Sequence, residues 1–217
     1  MSYDMKDYLK KADLFTFANL SLGFLALTFI FDKNFDRACR MILLALVADG
    51  FDGYLARRTK TDSEFGMNFD SISDSISFGL APALILYSYN STYFMLGVSL
   101  VYLSAGVLRL ARYNVIAPQM RGEFVGMPIP LAAFLVVLGV FSDFNYMILA
   151  LMALLSSYLM TCKITFGRKS GERFPVQNLA LILYAMIPIV WIEMISRVAL
   201  AAYVGGMIYT KRRATRG

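Results

Sequence analysis

An all-α, multi-pass membrane fold is predicted from three observations. Hydrophobic residues make up 58% of the 217 positions, and the mean hydropathy is +0.58, far above ordinary globular composition. The apolar residues come in runs close to the length of a bilayer-spanning helix. Short polar or turn-forming stretches such as Asp32–Asp36 and Ser142–Asn145 separate these runs.

Taken in order, residues 1–13 carry Lys6, Lys10 and Lys11 among Tyr3, Met5, Tyr8 and Leu9. That mixture reads as a short amphipathic surface helix. A Lys-rich start followed by a cleavage site is missing from the amino terminus, so no removable signal peptide is expected. Residues 14–31 form the first expected span, with Asn19 as its conspicuous polar residue. A buried asparagine there calls for an inter-helix hydrogen bond or a place facing substrate.

The second helix is expected from about Arg37 to Ala56, meeting water at Arg57, Arg58 and Lys60. The third runs from about Met67 to Tyr87, and the fourth from Thr92 to about Ala111. A polar connection over Arg109–Gly126 leads to a fifth run at Met127–Phe141, whose Pro128 and Pro130 suit a first helical turn. Tyr146–Thr161 is the sixth run, followed by a basic loop over Cys162–Gln177.

The last apolar stretch, 178–210, is long for one span, and Pro188, Glu193 and Arg197 interrupt it. Read as a helical hairpin, it makes eight helices and puts both termini on one side. All but four of the 21 basic residues (33, 37, 40 and 197 are the exceptions) then lie on that side. The positive-inside rule makes it the cytoplasmic side of the cell membrane. The expected organisation is thus one membrane domain: a surface segment at 1–13, a six-helix core at 14–162 and the hairpin at 178–210.

Several function classes are excluded. There is no histidine, and Cys39 and Cys162 stand alone, which removes a zinc site or a Cys/His nucleophile. The net charge of +6 and pI near 9.3 fit basic loops against anionic lipid in a membrane protein, so nucleic acid is not expected as a partner.

Four carboxylates lie in or beside these apolar segments. Asp49 and Asp52 are three apart, and Asp70 and Asp74 four apart, which puts each pair on one helix face about 5–6 Å apart. Charges near hydrocarbon need partners or a metal. Hard divalent cations prefer carboxylate oxygens and keep positions for substrate phosphate. A dinuclear metal site gripping a phosphorylated substrate is the expected meaning. Asp62 and Glu64, by contrast, read as helix caps or loop charges.

The stretch Asp49-x-x-Asp52-Gly53-x-x-Ala56-Arg57, then Gly66, Asp70 and Asp74, resembles the signature of the CDP-alcohol phosphotransferases. The segments at 70–83, Arg109–Asn114 and Phe124–Pro130 resemble that family's phosphatidylserine synthase branch. The likeness runs over roughly residues 14 to 165.

The resemblance implies transfer of a phosphatidyl-type group from a CDP-linked lipid to the hydroxyl of L-serine, with release of CMP. It implies Asp49, Asp52 and Asp70 as ligands of two divalent cations, Mg²⁺ or else Mn²⁺, with Asp74 as a further ligand or the base. Gly53, Ala56 and Gly66 would give nucleotide room, and Arg57 a planar guanidinium for its phosphates. Arg109, Arg112 and Asn114 are the candidates for serine, with interfacial anchoring as the alternative for each arginine. A homodimer is implied by the family alone. Another acceptor, glycerol phosphate or inositol phosphate, is the alternative within the class. A cation transporter is the alternative outside it, and would place carboxylates near the midplane without a basic nucleotide clamp.

Overall fold

A computed structural model describes residues 4, 8–10, 13–59, 63–116 and 123–167. Side chains of 52, 54, 56–59, 123, 124 and 165–167 are outside that description. The expected hairpin at 178–210, most of the basic loop before it and most of residues 1–13 also lie outside the described residues.

All six rods of the expected core are present. α1 spans Asp13–Phe31 and α2 Phe35–Thr59. The third rod is composite: α3 at Glu64–Asp74, a π-helical turn at Ser75–Leu80, and α4 at Ala81–Tyr89. α5 spans Tyr93–Ile116, α6 Ile129–Phe141 and α7 Tyr146–Thr161. Two three-residue strands, β1 at Glu123–Val125 and β2 at Thr165–Gly167, pair antiparallel with Phe124 opposite Phe166.

The helix starts follow from local chemistry. Asn34 Oδ1 accepts from Arg37 N at 3.2 Å and opens α2. Ser63 caps α3 by accepting from Gly66 N at 3.1 Å, so Glu64 is a first-turn residue rather than the cap. Thr92 Oγ1 accepts from Met95 N at 3.2 Å to start α5. Asn145 takes the N–H groups of Met147 and Ile148 at 2.8 and 3.2 Å to start α7. Pro128 and Pro130 stand at the beginning of α6, where a missing N–H costs nothing.

The π turn has an identifiable cause. Pro82 has no N–H to offer the carbonyl four residues back, and that carbonyl, of Phe78, accepts from the Tyr102 hydroxyl of α5 at 3.1 Å instead. Ala81 N reaches back to Ile76 O, the wider spacing of a π turn.

α1, the composite rod of 26 residues and α5 are long and apolar enough to cross a membrane. α6 and α7 are apolar but shorter, at 13 and 16 residues. α2 carries the charges, and its apolar side, including Ala38, Ile42, Leu43 and Leu46, is buried against α1 and α6. Outward residues such as Phe24, Leu100, Leu108, Leu151 and Leu155 remain exposed, as a lipid-facing surface requires. The molecule is a multi-pass membrane protein.

Close approach of α1 to the π turn depends on Gly23, where an added Cβ would lie 2.9 Å from Ser77 Cα. Ser77 Oγ, in turn, donates to Asn19 O at 2.9 Å.

Three expectations about the elements change. Residues Arg109–Ile116, expected as the start of a polar connection, are helical, since α5 continues to Ile116 and carries Arg109, Arg112 and Asn114 on its last turns. The loop after α7 contains β2. At the amino terminus, Tyr8–Lys10 are not helical. Tyr8 packs its ring 5.6 Å from that of Phe65 on α3.

Candidate active site

The acidic residues arrive on two rods. Asp49 sits toward the end of α2, and Asp70 and Asp74 one turn apart on α3, just ahead of the π turn. One carboxylate oxygen from each of Asp49, Asp70 and Asp74 falls within 4.8 Å of the others. Asp52 lies one turn beyond Asp49 on α2, and its side chain is outside the described residues, as are those of Ala56 and Arg57. The half-buried Gly53 lies in the same turn.

Three hard oxygens at this separation could hold a divalent metal. Oxygens on opposite sides of a Mg²⁺ stand about 4.2 Å apart, so small side-chain adjustments suffice.

Asp74 is the most enclosed of the three, at 5% exposure. Its Oδ1 accepts from Asn19 Nδ2 of α1 at 3.0 Å. The asparagine that stood out in the first span thus makes an inter-helix hydrogen bond, and its partner is a carboxylate of the cluster. That pairing was invisible in the sequence, although an isolated amide in an apolar helix was the signal that some partner existed.

Three basic or polar residues of α5 behave differently from one another. Arg109 is 6% exposed, with its guanidinium carbon 5.4 Å from the Tyr113 ring centroid. Its Nε has no hydrogen-bond partner among the described residues, and Asp74 and Asp49 both act on it electrostatically. A buried cation beside the acidic cluster is therefore available to an anion.

Arg112 is not. Its Nη1 donates to Thr161 O at 2.8 Å and Cys162 O at 3.4 Å, and its Nη2 to Val125 O at 2.9 Å and Met160 O at 2.8 Å. The side chain braces the end of α7 and the strand pair against α5. Gly126, at φ +80°, is part of this arrangement: a Cβ there would come within 2.6 Å of Arg112 Nη2. Both Nη groups of Arg112, expected as a serine candidate, are thus engaged by backbone carbonyls.

Asn114 is also largely committed to structure. Its Oδ1 accepts from Ser71 Oγ at 3.0 Å and its Nδ2 donates to Asn68 Oδ1 at 3.2 Å, which ties α5 to α3 beside Asp70. Gly66 is flanked: an added Cβ would lie 3.2 Å from Ser63 Oγ and 3.4 Å from Asp13 Oδ1. Packing at the start of α3 is thus one reason for glycine there. Asp13 itself is buried and takes Lys10 N at 2.7 Å, a feature that composition and spacing did not reveal.

With this geometry in view, the comparisons with known proteins are specific. The profile of the family described as CDP-alcohol phosphatidyltransferase matches residues 9–209. The chain is 41% identical over 138 residues to a CDP-diacylglycerol–serine O-phosphatidyltransferase of Helicobacter pylori, a match covering 62% of this chain and 58% of that relative. It is 36% identical over 167 residues to an archaetidylserine synthase of Methanothermobacter thermautotrophicus, covering 73% and 70% of the two chains. A Methanocaldococcus jannaschii protein named CDP-diacylglycerol–serine O-phosphatidyltransferase is 34% identical over 173 residues, covering 79% of this chain and 81% of that one.

Proposed function

The chain belongs to the CDP-alcohol phosphatidyltransferase family, and from that premise we propose that it transfers a phosphatidyl-type group from a CDP-linked lipid to the hydroxyl of L-serine, releasing CMP. The observation that carries the reading is the meeting of Asp49, Asp70 and Asp74 within 4.8 Å beside the buried Arg109. The names of the bacterial and archaeal relatives support serine as acceptor. The archaetidylserine relative supports an ether-linked donor as readily as a diacyl one.

In this reading Asp49, Asp70 and Asp74, with Asp52 by the signature, hold divalent cations, Mg²⁺ or Mn²⁺. Bound cations would neutralise the pyrophosphate and the charge developing on the departing CMP. Asp74 takes the proton of the serine hydroxyl, whose oxygen forms the new bond to phosphorus as the bond to CMP breaks. Arg109 pairs with the serine carboxylate, a role its buried guanidinium suits better than the committed Arg112. Arg57 steadies the nucleotide phosphates, and Gly53, Ala56 and Gly66 leave room for the nucleotide.

The basic side of the membrane is the cytoplasmic one. Serine and nucleotide then meet the acidic cluster from the cytosol while the donor's tails stay in lipid. A homodimer is the assembly the family suggests.

The direct test is CMP release by the purified protein, given CDP-linked lipid and a panel of serine, glycerol phosphate, inositol phosphate and inositol. Release dependent on serine alone is expected. Release with glycerol phosphate or inositol phosphate in its place would keep the chemistry and replace the acceptor.

A further inference from the structure

Asn19 of α1 donates from Nδ2 to Oδ1 of Asp74, a carboxylate of the acidic cluster, at 3.0 Å. The orientation of its amide follows from chemistry, since a carboxylate accepts and the nitrogen must face it. Asn19 is fully buried, and its own Oδ1 has no hydrogen-bond partner among the described residues. A buried amide oxygen left so is costly, and it suits an N–H or O–H donor brought by a ligand.

The residue is held firmly. Its backbone carbonyl accepts from Ser77 Oγ of the π turn at 2.9 Å, and Gly23, one turn further along α1, lets the two helices close up at Ser77. The amide is therefore anchored to the same rod that carries Asp74, with little freedom to move relative to it.

We propose that Asn19 is a positioning residue of the metal centre: its N–H fixes one oxygen of Asp74, turning the other toward cation or substrate, and its Oδ1 accepts a hydrogen bond from the ligand that fills the site. The idea rests on the metal-dependent reading above and deepens it. Such outer partners orient a ligating carboxylate, and losing one typically costs about ten- to a hundredfold in metal affinity or activity.

The test uses the full chain in detergent with Mn²⁺ as probe, read by electron paramagnetic resonance, alongside CMP-release kinetics. Asn19→Leu removes both polar ends at similar size. Asn19→Ser is a milder change that α1 should tolerate, and it is too short to reach Asp74. Ser77→Ala is the packing control, because it removes the hydrogen bond between α1 and the π turn without touching the amide.

Both Asn19 variants are expected to weaken Mn²⁺ binding about ten- to a hundredfold. They should lower kcat with the two substrate KM values within about threefold of the original. Ser77→Ala should keep Mn²⁺ affinity and kcat. Unaltered Mn²⁺ affinity in Asn19→Ser overturns the proposal, and so does an equal loss in Ser77→Ala, which would make the effect one of helix packing. The Mn²⁺ measurement also separates the two readings. If Asn19→Ser weakens Mn²⁺ binding while the unaltered protein releases no CMP from any CDP-linked lipid, positioning stands and the transferase reading falls.

Discussion

The hydroxyl of Tyr102 on α5 donates to the carbonyl of Phe78 at 3.1 Å, taking the place of the N–H that Pro82 lacks. Both residues are fully buried. The bond closes a gap in the backbone ladder at the point where the third rod widens into its π turn, directly after Asp74.

Tyr102→Phe should therefore destabilise the protein, because a buried carbonyl would lose its partner in apolar surroundings. The cost is about 1–3 kcal/mol, and the expected fall in melting temperature is about 2–4 °C per kcal/mol for a chain of this size. Thermal unfolding in detergent measures it. An unchanged melting temperature would mean that the π turn is satisfied without Tyr102.

Asp49→Asn, Asp70→Asn and Asp52→Asn should each abolish CMP release while the melting temperature of the metal-free protein stays near that of the original. Each change keeps the side chain's shape and deletes one ligand charge. The loss should exceed the about ten- to hundredfold typical of outer partners. Excess chelator should do the same to the unaltered protein, and full activity in chelator would remove the metal from the mechanism.

The two arginines of α5 should separate cleanly. Arg109→Lys should raise the serine KM by about ten- to a hundredfold, the value of one charge-assisted bond, since lysine keeps charge but loses the two-pronged match to a carboxylate. Arg112→Lys should leave the serine KM alone and lower the melting temperature, because a single ammonium cannot serve the carbonyls of Val125, Met160, Thr161 and Cys162 together. Steady-state kinetics with serine and CDP-linked lipid varied separately, plus melting curves, check both. Equal effects of the two changes on serine KM would return Arg112 to the substrate site.

Sidedness can be read by cysteine labelling. In a background with Cys162→Ser, a cysteine at Lys163, just after α7, should react with a membrane-impermeant reagent only from the cytoplasmic side. One at Lys33, in the turn between α1 and α2, should react only from the other side. Reaction of both from one side would contradict the alternating path of the rods.

The helical rods were legible because a bilayer demands about 20 apolar residues per crossing, and the chain shows its runs openly. Boundaries failed where charge and helix coincide. Arg109 and Arg112 looked like the start of a loop, yet α5 absorbs them to Ile116, one buried beside carboxylates and the other bonded to carbonyls. Hydropathy counts each guanidinium as a cost and has no way to see the groups that offset it.

The sequence by itself determined the chemistry on offer: carboxylates three and four apart share a helix face whatever surrounds them, because helical geometry sets that spacing locally. The tertiary structure alone decided which residues meet across rods. Asn19 finds Asp74 from 55 positions away, Asp49 joins Asp70 and Asp74, and Arg112 spends its donors on the end of α7. Those meetings depend on the rotation and register of one helix against another. Packing details such as Gly23 at Ser77 and the π turn at Pro82 set both, and the pattern along a single strand of sequence does not contain them.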